Sequence, residues 1–182
     1  MKTYISILRG INVSGHKLIK MDALRKSFES MGFSNVKTYL QSGNIIFSYD
    51  DIEEKNLEKQ ISQEIKKEFG FDVPVIVLSI ERLKQIIDHN PFVKDPIKDT
   101  LFLHITFLSS KPKEFSKDKI VEKKDKEEEI AFSDYAIYLY CPNGYGNTKL
   151  SNNFLERNLN VVATTRNFKT TNELLKIAEQ IN

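Results

Sequence analysis

Apolar residues recur along this chain in two rhythms, one of strands and one of helices. Thr3 to Arg9 reads as a strand by its Ile and Tyr content, and Met21 to Met31 places Leu24, Phe28 and Met31 at helical spacing. Gly32 is the expected stop of that helix. Val36 to Leu40 and Asn44 to Tyr49 read as strands joined by a tight hairpin at Gln41-Ser42-Gly43. Ile52 to Phe69 carries Leu57, Ile61, Ile65 and Phe69 on one helical stripe, ended by Gly70. Val73 to Leu78 is a strand whose Pro74 predicts a sheet edge, because proline has no N–H to give a ladder. A helix follows over Ile80 to His89.

Prolines at Asn90-Pro91 and Asp95-Pro96 then punctuate a linker, and the alternation restarts. Leu101 to Leu108 is a strand, Glu114 to Lys119 is weakly helical, and Glu128 to Phe132 pairs with Tyr135 to Cys141 around Ser133-Asp134. Leu150 to Asn158 is a helix and Val161 to Thr165 a short strand. Thr171 to Ile181 closes the chain as a helix with Leu174, Leu175, Ala178 and Ile181 inward. The order is βαββαβ twice. It predicts an α+β protein of two ferredoxin-like plait halves, residues 1–90 and 91–182, each followed by an extra helix.

Composition adds a cellular setting. With 40% apolar and 29% charged residues the chain has ordinary soluble composition. One cysteine among 182 residues allows no internal disulfide framework and fits a reducing compartment. The first residues, Met1-Lys2-Thr3-Tyr4-Ile5, lack a signal-peptide pattern, and no apolar run approaches the ~18 residues of a span. A cytoplasmic protein without a membrane partner is expected. The net charge of +2 is unevenly placed: residues 1–50 carry seven Lys/Arg and three Asp/Glu, residues 51–140 fifteen and nineteen, residues 141–182 five and three. The acidic middle reads as solvated helix surface, the run Glu127-Glu128-Glu129 included.

Candidate chemistry gathers in four polar stretches. Asn143 to Lys169 is the densest: Gly144 and Gly146 free the backbone, and Glu156 is its only acid. A helix expected to begin within Thr148 to Asn153 would offer unpaired N–H groups to an anion, with Lys149, Arg157 and Arg166 supplying charge. In the first half, Arg9 leaves the end of the first strand beside Gly10, suited to bidentate oxyanion contact. Asn12 and Lys17 share its loop, while Ser42 and Asn44 flank the hairpin glycine. These residues, with Thr165 and Asn167, form the candidate ligand-binding set. Other signatures fail. No phosphate loop occurs, Lys149 occupies the last position of the would-be Gly144-Tyr145-Gly146 dinucleotide motif, and His16, His89 and His104 are scattered without metal-ligand spacing. Cys141 reads as a buried, inert thiol.

Together, Arg9-Gly10-Ile11-Asn12-Val13, Tyr39-Leu40-Gln41-Ser42-Gly43-Asn44-Ile45-Ile46-Phe47, Thr148-Lys149-Leu150-Ser151-Asn152-Asn153-Phe154-Leu155-Glu156 and Ala163-Thr164-Thr165-Arg166-Asn167-Phe168 resemble the bacterial family called domain of unknown function 1697. The resemblance runs over essentially the whole chain. It implies two ferredoxin-like halves and no established activity or cofactor. Phe168 stands where the family usually has tryptophan.

Three functions are open at this level. The first is binding of a phosphate-bearing small molecule or nucleotide between the halves by Arg9, Lys149 and Arg166. The second is nucleic-acid binding on the sheets, with Tyr39, Phe47, Tyr49, Tyr138 and Tyr140 stacking on bases. The third is an enzyme acting by electrostatic stabilisation with Cys141 or His16 as the reactive group. Against all three stands a structural reading in which the polar motifs satisfy backbone groups at a domain seam.

Overall fold

The computed structural model describes residues 1–181. They separate into two compact units, one of Met1–Lys84 with the residues from Glu173 onward, the other of Gln85–Asn172. The first unit runs β1 (Lys2–Leu8), α1 (Met21–Ser30), β2 (Ser34–Tyr39), β3 (Asn44–Tyr49), α2 (Glu54–Phe69), β4 (Val75–Ser79), then enters α3 (Ile80–Asp88). Its sheet has the order β2-β3-β1-β4, and β1 pairs antiparallel with both β3 and β4. Val75 follows Pro74 into an edge strand, as the missing proline N–H requires.

Register decides what this sheet buries. Tyr4 lies opposite Phe47 and Ser79, and Leu8 opposite Val75, so these side chains share one face. That face joins Leu24 and Phe28 of α1 and Leu57, Ile61 and Ile65 of α2 in one buried cluster. The i, i+4 spacing of the α2 residues keeps them on a single stripe. Phe33 stacks on Phe47 at 4.4 Å between centroids, and Phe28 meets both edge-on. The Tyr4 hydroxyl donates to the Ile52 carbonyl at 3.0 Å and accepts the Ile52 N–H at 3.1 Å, anchoring the entry to α2. Gly70 takes a left-handed φ of 76° and donates to the Lys66 carbonyl, which ends that helix.

The second unit repeats the order with β5 (Leu103–Leu108), α4 (Lys117–Val121), β6 (Glu129–Phe132), β7 (Ala136–Tyr140), α5 (Asn152–Leu159) and β8 (Ala163–Asn167), and α6 (Phe168–Ile181) follows. Its antiparallel sheet reads β6-β7-β5-β8. Leu108, Ile137, Leu139, Cys141 and Ala163 pack with Ile120 of α4 and Leu155 and Leu159 of α5. Helix α4 starts three residues later than its composition suggests, because the Ser116 hydroxyl accepts the Lys119 N–H and sets its first turn. Helix α6 starts three residues earlier, at Phe168, with the Asn167 side chain accepting the Thr170 N–H at 2.7 Å. Leu174 and Ala178 are fully buried on it, with Leu175 and Ile181 half-buried. No helix among the described residues is long and apolar enough to cross a membrane.

Candidate functional site

In the first unit, the polar motifs build one another. Asn12 adopts φ 54° and turns its amide against the far end of its own loop. Its Oδ1 accepts the Ile19 N–H at 2.8 Å, and its Nδ2 donates to the Ile19 carbonyl at 2.9 Å and the Gln41 carbonyl at 2.8 Å. One side chain thus imitates a strand partner and ties the 12–19 loop to the hairpin. Asn44, fully buried, donates from Nδ2 to the Tyr39 carbonyl and the Ser42 hydroxyl, both at 2.9 Å. Lys17 donates to the Asp72 carbonyl. Arg9 gives its backbone N–H to the Pro74 carbonyl at 2.9 Å, and its side chain is half-exposed. Asn12, Ser42 and Asn44 are therefore occupied in closing loops at the end of the β1–β3 ladder.

In the second unit the Gly144–Thr148 stretch forms a 3-10 turn over Tyr145–Asn147, not an open cradle. The Gly144 N–H goes to the Cys141 carbonyl, that of Asn147 to Gly144, and that of Thr148 to Tyr145. The start of α5 is likewise served from within: the Ser151 hydroxyl accepts the Phe154 N–H, and that of Thr148 accepts the Leu150 N–H. Lys149 pairs with Asp125 at 3.3 Å on the surface. Arg157 donates to the Asn153 carbonyl, and both line an open surface depression with Glu156. Glu156 itself accepts the Ala163 N–H at 2.9 Å.

Elsewhere in this unit, polar side chains converge on the sheet. His104 and Thr106 alternate on β5 and share a face with Asn167 and Thr165, their partners on β8. The Thr165 hydroxyl donates to Asn152 Oδ1 at 2.7 Å and lies 2.7 Å from the Thr106 hydroxyl, a relay from a buried strand residue to the first residue of α5. Tyr145 stacks on His104 at 4.8 Å between ring centroids. Arg166 donates from one terminal nitrogen to the Thr164 hydroxyl at 3.1 Å and the Thr165 carbonyl at 2.9 Å. Burial pulls its pKa to about 10, with the Tyr145 phenol opposing, so the guanidinium stays charged at neutral pH. Burial also lowers His104 below its ordinary value, which favours the neutral imidazole. Thr165, Arg166 and Asn167 belong to the ligand-binding set expected from the sequence, whereas His104, Thr106, Tyr145 and Asn152 do not and are joined to it only by the fold. The i, i+2 spacing of His104 and Thr106 in an otherwise apolar strand was the available signal.

Two sequence expectations change. Glu128 is buried, not a solvated surface acid: its carboxylate accepts the Asp125 N–H at 3.0 Å and contacts Cys141. Its neighbours have separate tasks, Glu127 accepting from Asn143 and Glu129 pairing with Lys98. The strand aromatics also divide. Phe47 and Tyr138 lie in the core, the Tyr138 hydroxyl donating to the Ile86 carbonyl at 2.8 Å, so neither ring is open to a base. Cys141 is buried, and desolvation beside Glu128 pushes its thiol up to about 12. Among the described residues, no three His, Cys, Asp or Glu side chains gather as a metal site would need.

Residues 1–138 match the family described as Protein of unknown function (DUF1697). The chain belongs to this family. Among solved structures, it is similar to a conserved bacterial protein from Streptococcus pneumoniae, at 22% identity over 97% of this chain and 98% of that one, with a TM-score of 0.70. At that identity the likeness concerns the fold. No curated protein matches the chain. The family match takes in the loops built by Asn12 and Asn44 and ends before the Tyr145 turn.

Proposed function

We propose that this DUF1697 protein binds a phosphate-bearing small ligand or nucleotide, and that Arg166 and Tyr145 of the second half are its main contacts. The observation that carries the reading is the half-buried Arg166 guanidinium, charged and oriented by Thr164 and Thr165, with Tyr145 as its electrostatic neighbour. A desolvated guanidinium suits a phosphate oxygen pair, and the Tyr145–His104 stack supplies an aromatic surface for a base. Lys149 and Arg157 add exposed positive charge in the same half. The repeated βαββαβ order with sheets β2-β3-β1-β4 and β6-β7-β5-β8 supports two ferredoxin-like plaits as the scaffold.

The test is a thermal-shift and calorimetry series with inorganic phosphate, nucleoside mono- and triphosphates, phosphosugars and short RNA, at low and high salt. A specific ligand at 100 times its Kd contributes ~2.7 kcal/mol, raising the melting temperature of a chain this size by about 5–11 °C. Arg166→Ala should abolish the shift. A wild type that none of these compounds shifts sinks the reading and returns the motifs to a purely structural role. A shift by RNA alone that vanishes in high salt replaces it with nucleic-acid binding.

A further inference from the structure

The loop end of the first sheet presents apolar side chains outward. Asn12 joins three backbone points: its own, Ile19 and Gln41. The residues flanking those points, Val13, Leu18 and Leu40, are 56%, 66% and 53% exposed. Three of the large exposed apolar side chains therefore stand around one hydrogen-bonded node. The loops that carry them are held in costly backbone conformations. Ser14, Lys17 and Leu40 have φ between 46° and 59°, a region that such side chains enter only at a cost, and Asn12, a residue that tolerates it, has φ 54°. A leucine kept left-handed and half in water gains nothing for folding that a glycine would not supply better.

The rim is cationic. Residues 9–20 and 36–44 contain Arg9, Lys17, Lys20 and Lys37 and no Asp or Glu. Asp22, two residues past the first stretch, is paired with Arg25, and Asp72, whose carbonyl Lys17 reaches, has its carboxylate paired with Lys66. Lys20 and Lys37 are exposed.

We infer that this tip adsorbs to an anionic lipid surface, with Val13, Leu18 and Leu40 entering the interface and the surrounding amines meeting the headgroups. Charge complementarity argues for the anionic partner. The form of the patch argues for a bilayer: Val13, Leu18 and Leu40 lie in loop segments, Leu40 just past the end of edge strand β2, and they make no continuous helix face for a partner helix. A span is not required. The length of apolar runs, which argues against a membrane-crossing segment, says nothing about a surface contact made by three side chains. This inference is independent of the ligand site proposed in the second half.

Sedimentation with vesicles tests it. The full chain is mixed with vesicles of phosphatidylcholine alone, and with vesicles of equal parts phosphatidylcholine and phosphatidylglycerol, at low and high salt. The protein should pellet with the mixed vesicles and stay in solution with the neutral ones. The pair Leu18→Ser and Leu40→Ser should weaken binding by about tenfold, and the pair Lys20→Glu and Lys37→Glu by at least as much. All four positions are exposed, so melting temperatures should stay near wild type and separate lost binding from lost folding. Absence of pelleting with the mixed vesicles overturns the inference, as does binding that both variant pairs retain. Binding to a polyglutamate peptide but to neither vesicle also overturns it and assigns the tip to an acidic protein.

Discussion

The Glu156 carboxylate accepts the backbone N–H of Ala163 at 2.9 Å, joining α5 to the outer edge of β8. The first unit uses the same device twice. Glu58 accepts the Val77 N–H at 3.1 Å and Glu54 the Ser79 N–H at 2.8 Å, so acids one turn apart on α2 serve alternate residues of edge strand β4. Arg82 holds Glu54 from the other side at 2.6 Å. A strand edge with bare N–H groups is a template for unwanted pairing, and a carboxylate on the covering helix occupies those donors.

Removal of that acceptor should be felt in stability. Glu156→Ala should cost about 1 kcal/mol, a drop of roughly 2–4 °C in melting temperature, while Glu156→Gln should retain most of it because the amide oxygen still accepts. Urea denaturation of the two variants checks this. Equal losses would mean that the charge matters and the hydrogen bond does not.

Gly43 admits no side chain. It takes φ 79°, and a Cβ there would lie 2.7 Å from Leu8 Cβ and 2.8 Å from Ile11 Cδ1. Gly43→Ala should destabilise the protein by about 2–4 kcal/mol, combining left-handed strain with overpacking. Chemical denaturation measures the loss, and a cost below ~1 kcal/mol would show that the hairpin relaxes freely.

Asn12→Ala removes three hydrogen bonds from one node. The expected cost is about 2–3 kcal/mol, with the Ile19 amide losing much of its protection against hydrogen exchange. Asn12→Asp retains the acceptor for the Ile19 N–H but turns an anionic oxygen towards the Ile19 and Gln41 carbonyls, so it should cost at least as much as alanine. Unchanged exchange at Ile19 in the alanine variant would sever the loop from this side chain.

Cys141 should be silent towards thiol reagents in the native protein at pH 8 and react once denatured. Its thiol sits near 12 against an ordinary 9.0. The folded state therefore holds the proton more tightly than the unfolded chain. This contribution to stability is complete below pH 9 and is lost as pH rises towards 12. Fast native-state labelling with an alkylating agent would contradict this and reopen Cys141 as a nucleophile.

Much of the fold was legible in the linear pattern because periodicity reports which side of an element meets a core. The stripe Leu57, Ile61 and Ile65, the stop at Gly70, the strand Asn44–Tyr49 and the edge position announced by Pro74 all follow from local spacing and backbone chemistry. The candidate site was only half legible. Thr165 and Arg166 stood out as polar residues in sequence, but the partners of Thr165, Thr106 and Asn152, and the Tyr145 ring stacked on His104 come from other segments, and only sheet register and the turn bring them near.

By itself the sequence determined the twofold succession of strands and helices, the single reduced-type cysteine and the glycine positions, since each depends on neighbours in the chain. Tertiary structure alone decided what the polar side chains do. Glu128 became a buried acceptor, Glu156 an edge cap and Asn12 the tie between two loops, although their local sequences read as surface or ligand chemistry. A hydrogen bond needs a partner at a set distance and angle, and chain spacing carries no information about a partner seven or twenty-nine residues away until the backbone has folded to bring it there.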